Sequence, residues 1–556
     1  MRAQSNHSRL LHGEIVSVSA IGIRSECYHG RISRLQTGFN KARKIFRERS
    51  SLRSGVSVLF LASLLFATST ASGRAESSEV VAIKVDWNKV QGVSRTTATL
   101  QVVVNPLLRR GSPIHDRAFQ ALRNLQADDV RFVPWFPYPL LAVAELAPPT
   151  AERTFWDFSL IDPLIMDFLD ATSGHAVVVN FSTIPQWMFK TDRQVDDPSD
   201  PNAVDWSYEQ GTELRDPTMK EVSDYFARIV SWYTQGGFTD ELGRRHDSGH
   251  HCKIAYWEIL NEPEYEHAMT PQMYTRLYDA VSAAIRRAAP GIKFVGMSLA
   301  TPSKSPEFFE YFLDHKNHQP GIPLDAISYH FYAVPSVEQG SDSYPFSFFE
   351  QADHFLDTVR YVESIRRRLS PQTQTMLNEV GTIRAEDIGK ADPASAVIPA
   401  SYWNLSAAVY AYLHPQLAEL GIEVVGESQL VGYPTQFPSV SMIEWTTGRP
   451  NARYWVLKLI HENFGPGDKL TETKIDTSAV YAQGFVTPQG KKKLLIVNKR
   501  DRVAQIQLPG AFGACMEVID QATGLGPASL SNLTAERFVL SGFAVAVVTL
   551  SNRERE

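Results

Sequence analysis

Two glutamates stand out by their settings. Glu262 closes the run Trp257-Glu258-Ile259-Leu260-Asn261-Glu262-Pro263, and Glu379 sits in Met376-Leu377-Asn378-Glu379-Val380-Gly381. Each follows a short apolar run of strand character. Two carboxylates facing one another across a pocket can divide acid–base work. One protonates a leaving oxygen while the other attacks the carbon or activates water, which is what cleaving a glycosidic bond requires. The tripeptide Asn-Glu-Pro is weak evidence alone, because at roughly 5% usage per residue a chain this long holds any given tripeptide about one time in fifteen. Its place at a strand end, with a second Glu at another strand end, makes the signal. Glu258 has the same strand parity as Glu262 and therefore points inward lower down, as a buried hydrogen-bonding residue. Other candidate strand ends carry Arg131, Asn180, His330 and Tyr332. The histidine-rich stretch His246, His250, His251, Cys252 looks like a metal site but lies in a polar loop without matched ligands elsewhere, so solvation or loop packing is the simpler reading.

Elements able to position these residues follow from the pattern. Strand-like runs at Leu100–Val104, Val130–Val133, His175–Asn180, Ile254–Leu260, Ile292–Gly296, Leu324–His330, Thr373–Asn378 and Gly421–Gly426 alternate with helical periodicity. The helical segments are Ile114–Gln126, Ser159–Ala171, Pro217–Tyr233, Pro271–Ala288, Pro306–Asn317, Phe348–Leu369, Ala400–Leu420 and Asn451–Asn463. Eight strands alternating with eight helices are the count of a closed (β/α)8 TIM barrel, where chemistry sits at the C-terminal ends of the strands. No GxGxxG or GxxxxGK[ST] loop follows an early strand, which disfavours an open nucleotide-binding sheet. After Gly465-Pro466-Gly467 the pattern becomes short strands separated by Gly, Pro and Asp, as in a β-sandwich. Lys491-Lys492-Lys493 after Gln489-Gly490 reads as an exposed hairpin turn.

With 556 residues, 43% of them hydrophobic, the chain has ample material for a large core; its 3 cysteines cannot form a disulfide framework. The charge is split. Residues 1–53 hold 11 Lys and Arg against 3 Asp and Glu, whereas from Glu76 onward 43 basic residues face 58 acidic ones. An acidic body disfavours a nucleic-acid partner. Between the two lies Val56–Ala67, a strongly apolar segment of 12 residues, short of the ~20 needed to span a bilayer. It fits the apolar core of a signal peptide, with small residues downstream, or an N-terminal anchor, although its basic leader is unusually long. We expect an exported protein with four regions: 1–75 as a basic segment with signal peptide or anchor, 76–95 as a strand segment able to join the sandwich, 96–465 as the barrel and 466–556 as the sandwich.

The sequence resembles clan A glycoside hydrolases, most closely families such as 39, which holds β-xylosidases and α-L-iduronidase. The resemblance rests on WEILNEPE around Glu262, LNEVG around Glu379, ISYHFY at the sixth strand and the block Phe155–Trp187, and it covers most of residues 95–463. It implies Glu262 as general acid/base and Glu379 as nucleophile of a retaining mechanism. It also implies that Asn261 holds the sugar 2-hydroxyl, that His330 and Tyr332 line the site, and that Arg131 keeps Glu379 ionised. Sugar rings present apolar C–H faces, so aromatic walls are expected; Trp135, Tyr138 and Trp187 follow strands two and three and Tyr433 follows strand eight, while Trp445 lies further off. Trp156 and Phe158 open a helix and read as core.

The expected activity is a retaining O-glycosidase of β-xylosidase type acting on plant or microbial oligo- or polysaccharides, with a carbohydrate as partner and no cofactor or metal. An α-L-iduronidase-like or endo-acting enzyme is the alternative within glycosidases. Outside them stand a non-catalytic carbohydrate-binding protein on a degenerate barrel and a metal-dependent hydrolase using the His246–Cys252 loop.

Overall fold

The computed structural model describes residues 80–191, 199–208, 211–335, 343–387, 397–432 and 437–551; Val56–Ala67 and Tyr433 lie outside them. Eight parallel strands close into a barrel: Thr97–Val103, Val130–Val133, Val177–Val179, Tyr256–Glu258, Lys293–Leu299, Ala326–Ala333, Gln374–Thr382 and Val424–Glu427, with the eighth pairing to the first at Val424–Thr97 and Val425–Ala98. Nearly every residue of these strands is buried. Strands covered by helices outside and by packed side chains inside have two apolar faces, hence the continuous rather than alternating apolar runs.

The barrel interior is layered. Val178, Tyr256, Val295, Ala326, Met376 and Val424 form an apolar plug near the N-terminal end. Two residues further along three of these strands stand Glu258, Ser328 and Asn378, and the period of two makes them the next inward layer, which is polar. The C-terminal face of the barrel therefore rests on a polar floor above an apolar plug.

Helices follow at His115–Leu125, Asp162–Ala171, Lys220–Thr234, Pro271–Ala288, Glu307–Phe312, Tyr344–Leu369, Ala400–Leu420 and Ala452–Asn463. The expected helix Pro306–Asn317 is broken: Asp314 leaves the helical conformation and accepts a hydrogen bond from the Lys316 backbone, starting a separate 3-10 turn over His315–Asn317. The His-rich loop is not wholly irregular either. Gly237–Thr239 pairs antiparallel with Arg245–Asp247 around a turn in which Asp240 Oδ1 accepts from the backbone of Leu242 and Arg244. Beneath that hairpin Phe158 stacks on Trp232 at 4.2 Å, and Trp156 packs on Tyr225 and Phe238, so this aromatic group belongs to the core.

The remaining strands form a nine-stranded curled sheet from Val80–Val93 and eight strands between Lys469 and Thr549. Val80–Val93 is its hinge, antiparallel to Lys469–Ile475 and parallel to Ala504–Gln507. The sheet folds over its own apolar core, including Ile83, Leu494, Ile496, Ile506 and Val548. Two barrel helices carry it. Lys499 Nζ lies 4.3 Å from the ring centroid of Tyr412 on Ala400–Leu420, and Lys493 Nζ donates to Asn463 Oδ1 of Ala452–Asn463 at 2.6 Å. Among the described residues no helix is long and apolar enough to cross a membrane.

A buried ion pair closes the barrel seam. Arg453 donates through Nε to Glu427 Oε1 at 2.9 Å and through Nη2 to the Ser428 carbonyl, and neither charged side chain is exposed to solvent. Removing one partner strands the other charge in a dry site, which costs about 3–5 kcal/mol. Arg453→Met should therefore lower stability by about that much, read as a lower urea midpoint.

Candidate active site

The backbone departs from regularity where the site forms. Strand register slips between Met376 and Glu379 against the sixth strand, and between Met297 and Leu299. Such bulges re-aim side chains at the end of a strand. Gly426 permits the first of these, since a Cβ there would lie 3.1–3.3 Å from the Asn378 backbone. Leu260, Glu262, Met297 and Ser298 all have positive φ, a costly conformation for residues other than glycine. Pro263 then opens the one-turn helix Pro263–Glu266, its fixed φ suited to that position.

Arg131 is the hub. Its guanidinium is 1% exposed, and all five N–H groups are accounted for. Nε donates to Glu258 Oε2 (2.5 Å), Nη1 to Gln101 Oε1 (2.7 Å) and Glu379 Oε1 (2.5 Å), and Nη2 to Asn261 Oδ1 (2.7 Å) and Ser298 Oγ (3.1 Å). Glu258 is fully buried and accepts three further bonds, from Asn180, Ser328 and Asn378. It supports Arg131 from below and has no access to the mouth.

Glu379 accepts at Oε1 from Arg131 and at Oε2 from the Tyr332 hydroxyl at 2.7 Å. Burial works to raise its pKa. The charges of His330 and Arg131 and the bonds from Tyr332 and Arg131 outweigh it and hold the carboxyl below its ordinary range. Tyr332 has one hydroxyl proton to give, and its oxygen also lies 2.5 Å from Ser428 Oγ, which accepts from Gln101 Nε2 at 2.7 Å. Glu262 faces Glu379 across His330. Its Oε1 is 2.8 Å from His330 Nδ1, which is 3.6 Å from Glu379 Oε2, while His330 Nε2 meets Ser298 Oγ at 3.0 Å. Burial alone would lower the His330 pKa, but the two glutamates raise it. One ligand-type atom from each of Glu262, His330 and Glu379 lies within 4.8 Å of the others, a grouping a metal ion could use. The Arg131 guanidinium already supplies a cation against Glu379, which works against a divalent ion there.

The Glu379 environment makes a testable pH statement. An ionised Glu379 persists above its depressed pKa and is lost as pH falls through it. Tyr332→Phe removes one stabilising donor, so the acid limb of kcat/KM should move to higher pH and kcat should fall by roughly 10- to 100-fold.

Three residues after Pro263 comes a carboxylate that sequence reading passed over. Glu266 Oε1 accepts from Asn261 Nδ2 at 2.8 Å and from the Trp135 indole N–H at 2.7 Å. Burial first, then the Glu262 charge, push its pKa well above the ordinary value. Glu264 also turns inward, accepting from the Thr301 backbone at 2.9 Å, and burial pushes it up to about 7. Gln101, Ser298 and Ser428 were likewise unforeseen. Only Gln101 left a signal, as a lone polar residue within the apolar run Leu100–Val104.

The fold thus brings together Glu262, Glu379, Asn261, Arg131, His330, Tyr332 and, through Glu266, Trp135. It does not bring Trp187 into this network. Its indole N–H donates to the Glu145 carbonyl at 2.8 Å, and the Arg215 guanidinium covers its ring at 4.4 Å. Tyr138 is buried, and Trp445 packs against the core. His246 and His250 are bound to separate carboxylates, Asp240 (2.9 Å) and Asp162 (3.2 Å), and do not converge. A further aromatic group stands at the mouth. Trp206 meets Trp135 at 5.3 Å, Phe136 at 5.8 Å and Phe437 at 6.3 Å, all edge-to-face.

Residues 245–381, which carry both Glu262 and Glu379, match the family model Glycosyl hydrolases family 39. The chain is a glycoside hydrolase, similar to family 39. No curated protein matches the sequence. Solved structures share the fold of barrel and trailing sheet. A GH51 arabinofuranosidase from Xanthomonas axonopodis pv. citri aligns with a TM-score of 0.58 at 12% identity, over 85% of this chain and 100% of that one. A glucosidase from Croceicoccus marinus aligns with a TM-score of 0.54 at 15% identity, over 86% and 100%. An alpha-L-arabinofuranosidase from Thermotoga maritima aligns with a TM-score of 0.55 at 13% identity, over 84% and 99%.

Proposed function

We propose that this glycoside hydrolase is a retaining O-glycosidase of β-xylosidase type, with Glu379 as nucleophile and Glu262 as general acid/base. The observation that carries the reading is the pairing of two carboxylates held by different partners across one pocket. Glu379 is held as an anion by Arg131 and Tyr332, and Glu262 stands opposite with an oxygen within 4.8 Å of it, bonded to His330. Carboxyl groups about 5–5.5 Å apart suit direct attack, whereas inversion needs about 6.5–9.5 Å to admit water. In the first step Glu379 attacks the anomeric carbon while Glu262 protonates the departing oxygen. In the second, Glu262 takes a proton from water as water displaces Glu379 and restores the original anomeric configuration. Asn261, with its Oδ1 committed to Arg131 and one Nδ2 hydrogen to Glu266, has its second Nδ2 hydrogen to offer the sugar 2-hydroxyl. The preference for neutral plant or microbial oligo- or polysaccharides follows the family resemblance. The basic leader and Val56–Ala67 support action outside the cytoplasm.

A panel of aryl glycosides, followed by a 2-fluoro glycoside of the best glycone, tests this. Labelling is expected on the peptide holding Glu379, with stoichiometric loss of activity; hydrolysis without any label on that peptide would falsify the assignment.

A further inference from the structure

We propose that Trp206, set against Trp135, forms a second sugar-binding position at the barrel mouth, so that the natural substrate is an oligosaccharide recognised beyond the unit that reacts with Glu379. This rests on the glycosidase reading of the site and extends it.

The placement comes from contacts along the segment that carries Trp206. Asn202 Oδ1 accepts from Arg109 after the first strand, the Asp205 N–H donates to the Pro137 carbonyl after the second, and the Tyr208 hydroxyl accepts from the Gln186 backbone after the third. Phe437, which touches the Trp206 ring, follows the eighth strand. All four loops leave the C-terminal ends of barrel strands, the face on which such barrels do their chemistry. The segment therefore bridges the mouth from one side, with Trp206 reaching toward the seam between the first and last strands.

The link to the carboxylates is continuous. Glu262 adjoins Asn261, Asn261 bonds Glu266, Glu266 bonds the Trp135 indole, and Trp135 meets Trp206 with ring planes 84° apart. Trp206 is 46% exposed, and its neighbours Trp135 and Phe136 are themselves only partly covered, so the aromatic group reaches solvent at this face. Among the described residues its three ring neighbours, Trp135, Phe136 and Phe437, all meet it edge-to-face. That contrasts with Trp187, whose face is covered by Arg215, and with Phe158, stacked on Trp232. A tryptophan left about half exposed beside the carboxylates suits the C–H face of a sugar ring, whose hydrogens carry partial positive charge. The perpendicular Trp135 supplies the corner against which that ring registers.

The test compares two substrates of the glycone that the wild-type enzyme prefers: its glycosyl fluoride, which has no sugar beyond the reacting unit, and its trisaccharide. Trp206→Ala should lower the ratio of kcat/KM for trisaccharide to that for fluoride by about tenfold, mainly through KM, and Trp206→Phe should restore part of it. A ratio unchanged within about twofold, or equal falls with both substrates, overturns the proposal. If the wild-type protein hydrolyses neither substrate, the glycosidase reading itself fails, and this inference fails with it.

Discussion

Glu379→Gln is expected to reduce kcat/KM by a factor on the order of 10,000 or more, equivalent to about 5.5 kcal/mol of transition-state stabilisation. The substitution preserves shape. A glutamine oxygen can still accept from Arg131, and Arg131 keeps its ion pair with Glu258, so the hub should stay intact. The carboxylate charge is what disappears. An amide cannot form the covalent intermediate, and the positive charge of Arg131 is no longer balanced toward the pocket. The measurement is steady-state hydrolysis of the preferred aryl glycoside, alongside a urea unfolding curve to show that the variant is folded. Near-wild-type turnover by a folded Glu379→Gln protein would remove Glu379 from the mechanism.

Glu262→Ala should divide substrates by leaving group. General acid assistance contributes about 100- to 10,000-fold, and it matters most when the departing oxygen is basic. Glycosides of sugars or alkyl alcohols should slow by roughly 1,000-fold, while dinitrophenyl glycosides should keep a rapid first step and show a burst as the second step, now without its base, becomes limiting. Azide, small enough for the vacated space, should restore turnover on the activated substrate and yield a glycosyl azide of unchanged anomeric configuration. Equal slowing of good and poor leaving groups would place Glu262 in binding rather than proton transfer. The two variants thus separate the roles: Glu379→Gln blocks both steps for every substrate, and Glu262→Ala does not.

Much of this site is legible in the sequence alone. Glu262, Glu379, Arg131, His330 and Tyr332 all lie within, or at most two residues beyond, strand runs whose order the alternation of strands and helices makes plain, and in a parallel barrel that order places them on one face. The inward parity of Glu258 also followed from the period of two along its strand. Trp187 shows the limit of such reasoning. Its position after the third strand was right for a wall, but the partner covering it, Arg215, comes from a loop 28 residues later whose path no local pattern describes.

What the sequence by itself determined is the architecture and the placement of Glu262 and Glu379 at the C-terminal ends of barrel strands, because burial periodicity and strand-end position are local properties read one residue at a time. What only the tertiary structure decided is how those groups are tuned. The bulges at Met376–Glu379 and Met297–Leu299 and the left-handed turns at Leu260 and Glu262 break the period that predicts direction. The break at Met297–Leu299 sets Ser298 on Arg131 and the turns set Glu266 between Asn261 and Trp135, while Gln101 reaches Arg131 from the neighbouring strand and Ser428 reaches Tyr332 from the end of the eighth. The charge of a carboxylate is set by partners brought near in space, and nearness across a closed barrel is not encoded in spacing along the chain.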